Sequence, residues 1–181
     1  MPTISKLSEL SGEYVLDTAR TRLGFVARHS VGPQVRGHFE EFEGSAQLDG
    51  DDPSKSGIHL TIQAKSLQSH NKFRDDPVRA KFLDAANHPV ITFASTAVEQ
   101  VDGTTFEVTG DLTLRGTTKP LTLTVETTGG ENDARGELRV GFKGSVLINR
   151  KDWGATANAA DVLFVSPKVT VEFEISALRR P

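Results

Sequence analysis

The stretch VRGHFEEFEGSAQLD, residues 35–49, alternates between apolar or small residues and polar ones, and it changes phase partway. Its apolar and small positions are Val35, Gly37 and Phe39 before the change, and Phe42, Gly44, Ala46 and Leu48 after it. A period of two is typical of a strand with one buried face. A phase change at Glu40 and Glu41 indicates a β-bulge, which keeps one face inward while the strand bends. Because strands usually have about 5–6 residues, a bent strand this long favours a sheet that closes into a barrel.

The same alternation recurs along most of the chain. It predicts strands over residues 13–18, 22–29, 57–66, 90–97, 106–114, 121–125, 138–148 and 168–177. Ala97 is expected to face inward with Ile91, Phe93 and Ser95. Residues 71–84 break the alternation, and they predict one short helix, with Asp76 as its cap and Pro77 at its first position. The predicted fold is therefore all-β, an antiparallel barrel of about eight strands with one short helix.

Size and composition limit the classes of protein that the chain can represent. With 181 residues, it fits one barrel domain over residues 13–181, preceded by a flexible N-terminal arm over residues 1–12. The formal net charge of −3 and the absence of a Lys/Arg run argue against nucleic acid as a partner. There are no cysteines, so disulfides and thiolate sites are excluded.

Segments that direct a protein to a membrane are not visible in the sequence. No stretch approaches about 18 consecutive apolar residues, so no integral membrane segment is expected. The first residues show no apolar signal-peptide core, and we expect a cytoplasmic protein.

Motifs that carry catalysis are not found. The sequence has no GxSxG elbow, phosphate-binding loop, GxGxxG or HExxH motif. The five histidines lie on separate elements without metal-ligand spacing, so neither a catalytic nor a metal site is predicted. His29 differs because it has the parity of the buried face; it is either a satisfied core histidine or a polar group at the mouth of a pocket.

The predicted barrel interior combines large apolar residues with small ones. Glycines 37, 44, 110 and 144 are expected to leave volume beside phenylalanines, so an apolar tunnel suited to a hydrocarbon chain is plausible on geometric grounds. The residues predicted to line it are Phe25, Ala27, Phe39, Phe42, Leu60, Ile62, Phe82, Phe93, Leu112, Phe142 and Phe173. Four aromatics outside the regular strands are expected to plug or line an end of the barrel: Phe73, Phe82, Trp153 and Phe164. Arg74 and Asp75 form either a surface ion pair or a polar cluster at the entrance.

Six ordered segments between Tyr14 and Ile175 resemble the YceI-like family. They are Leu23-x-Phe25-x-x-x-His29 after Tyr14, Val35-x-Gly37-x-Phe39-x-x-Phe42-x-Gly44, Arg74-Asp75 with Lys81-Phe82-Leu83-Asp84, His88-Pro89-x-Ile91-x-Phe93-x-Ser95, residues 110–120, and Asn149-Arg150-Lys151-Asp152-Trp153-Gly154. The resemblance implies a lipocalin-like barrel that holds a polyisoprenoid chain, such as a polyprenyl phosphate or an isoprenoid quinone. It also implies a homodimer. Many members are periplasmic, whereas this chain shows no signal peptide.

One position departs from the family pattern. Similar members usually have histidine where this chain has Pro77, so any contact of that histidine with a polar head group is missing. We expect Arg74, Asp75 and His29 to meet the polar end of the ligand instead.

The expected function is a non-enzymatic carrier or sequestering protein, with a bound polyisoprenoid lipid and no other cofactor. One alternative is an enzyme acting on a hydrophobic isoprenoid-type substrate, with His29 and Asp75 as acid and base. Another is a ligand-free, stress-linked interaction module with a filled barrel.

Overall fold

The computed structural model describes residues 3–4, 7–29, 34–154 and 165–180. Its strands are β1 (Thr3–Ile4), β2 (Gly12–Leu16), β3 (Arg22–His29), β4 (Gln34–Phe39), β5 (Phe42–Leu48), β6 (Gly57–Gln63), β7 (Leu67–Gln68), β8 (Val90–Gln100), β9 (Thr105–Leu114), β10 (Thr117–Asn132), β11 (Leu138–Asn149) and β12 (Val165–Arg179). One helix starts as α1 (Lys72–Pro77) and continues as a π-helical turn over Val78–Phe82. Short 3₁₀ helices cover Leu7–Leu10, Thr18–Arg20, Pro53–Lys55, Ala64–Ser66 and Arg150–Trp153.

The strands form a closed antiparallel barrel, which confirms the predicted fold class. β2 and β3 lie end to end as one wall strand, and β4 and β5 form the next. These two composite strands and six single ones make an eight-stranded barrel. The single strands are β6, β8, β9, β10, β11 and β12. The ring closes because β11 pairs with β10 on one side and with β12 on the other, while β12 pairs with β3 and β2.

The bend predicted within residues 35–49 is present. β4 ends at Phe39 and β5 begins at Phe42, so Glu40 and Glu41 lie outside both strands. The backbone of these two residues still bonds to the end of β6 and to the segment after it: Gln63 N–H donates to Glu41 O at 2.9 Å, and Glu40 N–H donates to Ser66 O at 3.1 Å. The composite strand formed by β4 and β5 therefore bends at these two residues and keeps its backbone hydrogen bonds to the neighbouring segment.

A second irregularity, in β8, corrects one prediction. The register between β8 and β9 shifts between Ser95 and Ala97. The extra residue reverses the alternation, so Ala97 is exposed and Val98 is buried. The prediction that Ala97 faces inward is wrong for this reason.

The helix also begins differently from the prediction. Its cap is Asn71, whose side chain accepts a hydrogen bond from Arg74 N–H at 3.3 Å, and not Asp76. Pro77 lies at the end of the α-helical part, where it has no N–H to continue the i→i−4 ladder. The next turn is π-helical, with Leu83 N–H donating to Val78 O at 3.0 Å.

The antiparallel order places the connections at two ends of the barrel. The segment between β6 and β8, which contains α1, shares one end with the β9–β10 turn and with the 3₁₀ helix after β11; we call this the helix end. The opposite end carries the β5–β6 and β8–β9 connections and the 3₁₀ helix Leu7–Leu10.

The opposite end is plugged by a compact cluster. It consists of Leu10, Tyr14, Leu138, Val140 and Ala177. The hydroxyl of Tyr14 donates to Leu10 O at 2.7 Å, and its burial raises the pKa of that phenol against the opposing effect of Arg179. Residues 7–10 of the predicted flexible arm are therefore packed against the barrel.

Candidate functional site: an apolar cavity

A cavity of about 380 Å³ occupies the barrel interior, within the ~300–1,000 Å³ range of small-molecule sites. Its wall is made chiefly of inward-facing aliphatic and phenyl groups, among them Val35, Val108, Leu121, Leu123, Val125, Val171 and Ile175. On β10, alternate residues from Leu121 to Thr127 line it, and at ~3.3 Å per residue this run covers roughly 20 Å. The cavity therefore extends along much of this strand, which is inclined to the barrel axis.

Glycines shape the cavity differently from the prediction. They do not leave empty volume next to phenylalanine rings, because the rings cover them. A Cβ atom on Gly110 would lie 2.5 Å from Cζ of Phe93, and one on Gly144 would lie 2.6 Å from Cζ of Phe173. A Cβ on Gly37 would meet the ring of Phe25 in the same way. Each ring lies against the barrel wall because its neighbour has no side chain.

Most of the predicted ligand-binding residues line the cavity. They are Phe25, Ala27, Phe39, Leu60, Ile62, Arg74, Asp75, Phe82, Phe93, Leu112, Phe142 and Phe173. The strand residues among them share inward parity, which is the pattern from which they were predicted. Arg74 and Asp75 were predicted either at the entrance or on the surface, and Phe82 was predicted to line the tunnel or an end of the barrel.

Three predicted residues do not line the cavity. Phe42 is half-buried outside the cavity wall. Trp153 is buried in the cluster at the helix end, where its indole N–H donates to Leu112 O at 2.8 Å. Phe73 is 94% exposed on the outer side of α1. Phe164 and the side chain of His29, which were also predicted to contact the ligand, lie outside the described part of the structure.

Polar groups meet the cavity at the helix end, and Asp75 is at their centre. Its side chain is only 2% exposed. One carboxylate oxygen accepts Ser69 N–H at 2.8 Å and Asn71 N–H at 3.4 Å, and the other accepts the Ser69 hydroxyl. Arg74 completes the cluster through its Nε, which donates to Ser69 Oγ at 3.0 Å.

The environment of Asp75 keeps it ionised. Burial by itself would raise the pKa of the carboxyl, but the hydrogen bonds from Ser69 and Asn71, together with the charge of Arg79, outweigh burial and lower the pKa below its ordinary value. A carboxylate with both oxygens occupied is a structural anchor that holds α1 over the mouth of the cavity. It is poorly suited to act as a general acid at neutral pH.

Arg150 is a cavity-lining residue that the sequence analysis did not select. Its guanidinium carbon lies 4.4 Å above the centre of the Phe82 ring, a cation–π geometry. Burial lowers the pKa of this guanidinium. A signal was present in the sequence, since Arg150 continues the inward parity of Val146 and Ile148 beyond the end of β11.

Two classes of site are not found in the part of the chain that the structure describes. No group of three or more His, Asp or Glu side chains there is placed to hold a metal ion. No helix there combines the length and apolar character needed to cross a membrane.

A closed eight-stranded barrel around an apolar interior places this chain in the class of small β-barrels that lipocalins exemplify. The model of the YceI-like domain matches residues 14–177. The chain belongs to the YceI-like domain family.

Relatives in bacteria support this assignment at the level of sequence. A UPF0312 protein of Vibrio cholerae is 31% identical over 173 residues, covering 94% of this chain and 89% of the relative. A UPF0312 protein of an Enterobacter species is 35% identical over 154 residues, covering 83% of this chain and 80% of the relative.

Solved structures share the fold. The Campylobacter jejuni YceI protein has a TM-score of 0.74 at 25% identity, covering 85% of this chain and 90% of that one. Burkholderia cenocepacia BcnA has a TM-score of 0.79 at 24% identity, covering 89% of this chain and 98% of that one. A polyisoprenoid binding domain from Saccharophagus degradans, implicated in plant cell wall breakdown, has a TM-score of 0.70 at 18% identity, covering 92% and 98%.

Proposed function

We propose that this protein is a non-enzymatic carrier that holds a polyisoprenoid chain, of a polyprenyl phosphate or an isoprenoid quinone, in its barrel for transport, storage or sequestration. The observation that carries the proposal is the apolar cavity with the guanidinium groups of Arg74 and Arg150 in its wall at the helix end. A likeness in fold to a polyisoprenoid binding domain supports it.

Desolvation supplies the binding free energy. Each methylene that leaves water for the cavity contributes ~0.8 kcal/mol, so a prenyl chain binds tightly without specific hydrogen bonds. The shape of the cavity selects a slender chain, because the phenylalanine rings lie against the wall and keep the axis open. A ligand-free interaction module with a filled barrel would not contain this cavity.

The polar end of the ligand lies at the helix end. There Arg74 and Arg150 contribute positive charge to the cavity wall, and Ser69 contributes a buried hydroxyl. The engaged carboxylate of Asp75 holds this cluster in place. Guanidinium groups bind phosphate oxygens well and also donate to carbonyl oxygens, so the cluster accepts either a phosphate or a quinone head group.

A matched pair of alanine substitutions tests the proposal. Ala27 lines the cavity and Ala97 is exposed on the outer wall of the same barrel, and both lie in strands. Ala27→Trp fills the cavity, and we expect the amount of prenyl lipid retained to fall by about tenfold or more, since a blocked channel excludes most of the chain. Ala97→Trp should retain as much lipid as the unaltered protein. Equal lipid content in the two folded variants would contradict the proposal.

The homodimer expected from the family resemblance is part of this proposal. Sedimentation velocity of the purified chain measures it directly. A mass that remains that of one chain at high protein concentration would remove the dimer and leave the carrier function unaffected.

A further inference from the structure

The outer side of α1 carries an aromatic ring in full contact with solvent. Phe73 is 94% exposed, more than any other large apolar side chain in the described ranges. The two residues that follow it, Arg74 and Asp75, line the cavity. A single turn of helix therefore has the cavity on one side and an unpartnered phenyl ring on the other.

The ring is part of a small face with a defined composition. Pro77 follows Phe73 at i+4 spacing, on the same side of the helix, and Ala80 is exposed one turn later. Lys72 is exposed beside them. We call these four residues, Lys72, Phe73, Pro77 and Ala80, the Phe73 face.

The segment around this face is positive, although the chain as a whole is negative. Residues 65–81 contain five Lys or Arg and two Asp, a net charge of +3, whereas the whole chain has −3. Asp75 is buried and Asp76 is paired with Arg79 at 3.2 Å, so the acidic groups are already engaged. Lys65 and Lys72 are exposed, so the exposed charge of the segment is cationic.

We propose that the Phe73 face docks on the surface of an anionic lipid bilayer, with the ring of Phe73 inserted at headgroup depth and the ammonium group of Lys72 on lipid phosphates. An aromatic ring beside a lysine is a composition that binds anionic membrane interfaces. The inference rests on the proposed function, and it adds the route of the ligand: the prenyl lipid passes between bilayer and cavity at the helix end.

Two other occupants fit this face less well. A second copy of the chain would bring two segments of +3 against each other. A stable protein partner needs about 800 Å² on each side, and one ring with a proline and an alanine is a small apolar area. A bilayer requires neither a matched surface nor a large apolar area, because one inserted ring and a few cations are sufficient for reversible binding.

Sedimentation with lipid vesicles tests the proposal on the full chain. Vesicles of phosphatidylcholine alone are compared with vesicles that also contain phosphatidylglycerol. Phe73→Glu is compared with Val101→Glu, because Val101 is also exposed, at 56%, but lies at the opposite end of the barrel. We expect binding to anionic vesicles, reduced about tenfold by Phe73→Glu and unaffected by Val101→Glu. Lys72→Glu should weaken binding mainly at low salt.

The lipid content of the same samples separates this inference from the proposed function. Phe73→Glu should retain prenyl lipid in the cavity while losing vesicle binding, and Ala27→Trp should show the reverse. Equal vesicle binding by the unaltered protein and Phe73→Glu would overturn the docking proposal and leave the carrier function intact. A dimer that Phe73→Glu dissociates, without vesicle binding, would assign the face to a second copy and also overturn it.

Discussion

The phenyl ring of Phe93 lies over Gly110 of the neighbouring strand, where a Cβ atom would come within 2.5 Å of the ring and 2.6 Å of Ala94 O. Phe25 over Gly37 and Phe173 over Gly144 repeat this arrangement on other walls of the barrel. Three rings are thereby held out of the channel that they line. The shape of the cavity therefore depends on residues that contribute no side chain to it.

Adding one methyl group at Gly110 should close part of the cavity. In Gly110→Ala the new Cβ would clash with both the Phe93 ring and the backbone oxygen of Ala94, so the ring has to move into the cavity and the β8 backbone has to shift. Overpacking of this kind typically costs ~1–3 kcal/mol. Urea unfolding should show a loss in that range, and the retained prenyl lipid should decrease. Gly57→Ala is the control, since its Cβ would meet only Ser95 Oγ at 3.9 Å. Similar losses for both variants would show that the ring–glycine contact has no special role.

The sequence was sufficient to predict the barrel because alternation with period two is set by the strand backbone itself. It also predicted the corner at Glu40 and Glu41, where an apolar phase change is visible. The bulge between Ser95 and Ala97 has no such signal, because alanine and serine fit either face. The glycine–phenylalanine pairs depend on the register between neighbouring strands, and the sequence of a single strand does not specify that register.

The residues of the helix show a second limit of sequence analysis. Arg74 and Asp75 were predicted at an entrance or on the surface, and only the tertiary structure places them in the cavity wall. Phe73 was predicted to plug or line an end of the barrel, because large aromatic residues outside the regular strands usually do so. The helix starts at Lys72, and its orientation, fixed by the inward Asp75, turns Phe73 outward.

Asp75→Asn should destabilise the protein in a pH-dependent way. The pKa of Asp75 is lowered in the folded state, so its stabilising effect is complete above the unfolded pKa of about 4 and is lost as the pH falls through the folded value. The variant places an amide against Ser69 N–H, and we expect it to lose ~1–3 kcal/mol at neutral pH. The difference from the unaltered protein should shrink below about pH 4. Urea unfolding across pH checks this.

Asp76→Asn is the matched control for that experiment. Asp76 is the adjacent residue, but it is exposed and forms an ion pair with Arg79 at 3.2 Å. An exposed ion pair contributes about 0–1 kcal/mol, so its loss should be small. A difference for Asp75→Asn that stays constant down to acidic pH would refute the role of the ionised carboxylate.

The single tryptophan should distinguish the two candidate head groups. Trp153 is buried and bonded to Leu112 O at 2.8 Å, and the side chain of Leu112 lines the cavity. A quinone ring at the helix end should quench the emission of Trp153, because quinones accept excited-state energy and electrons at short range. A polyprenyl phosphate has no such group and should leave the intensity nearly unchanged.

The control for the fluorescence titration is Ala27→Trp, in which the ligand is excluded, although this variant adds a second emitter. Ala97→Trp provides the same added emitter with an open cavity. Quenching that is equal in the two variants would arise from free quinone in solution and would argue against binding at the helix end.

Native mass spectrometry of the freshly purified chain, followed by organic extraction, tests the central claim most directly. We predict a mass increment of about one lipid per chain, and an extract whose fragments carry the repeating five-carbon spacing of isoprene units. Repeated preparations with no bound mass, or with only fatty-acyl lipids in the cavity, would contradict the assignment of the barrel interior to a polyisoprenoid chain.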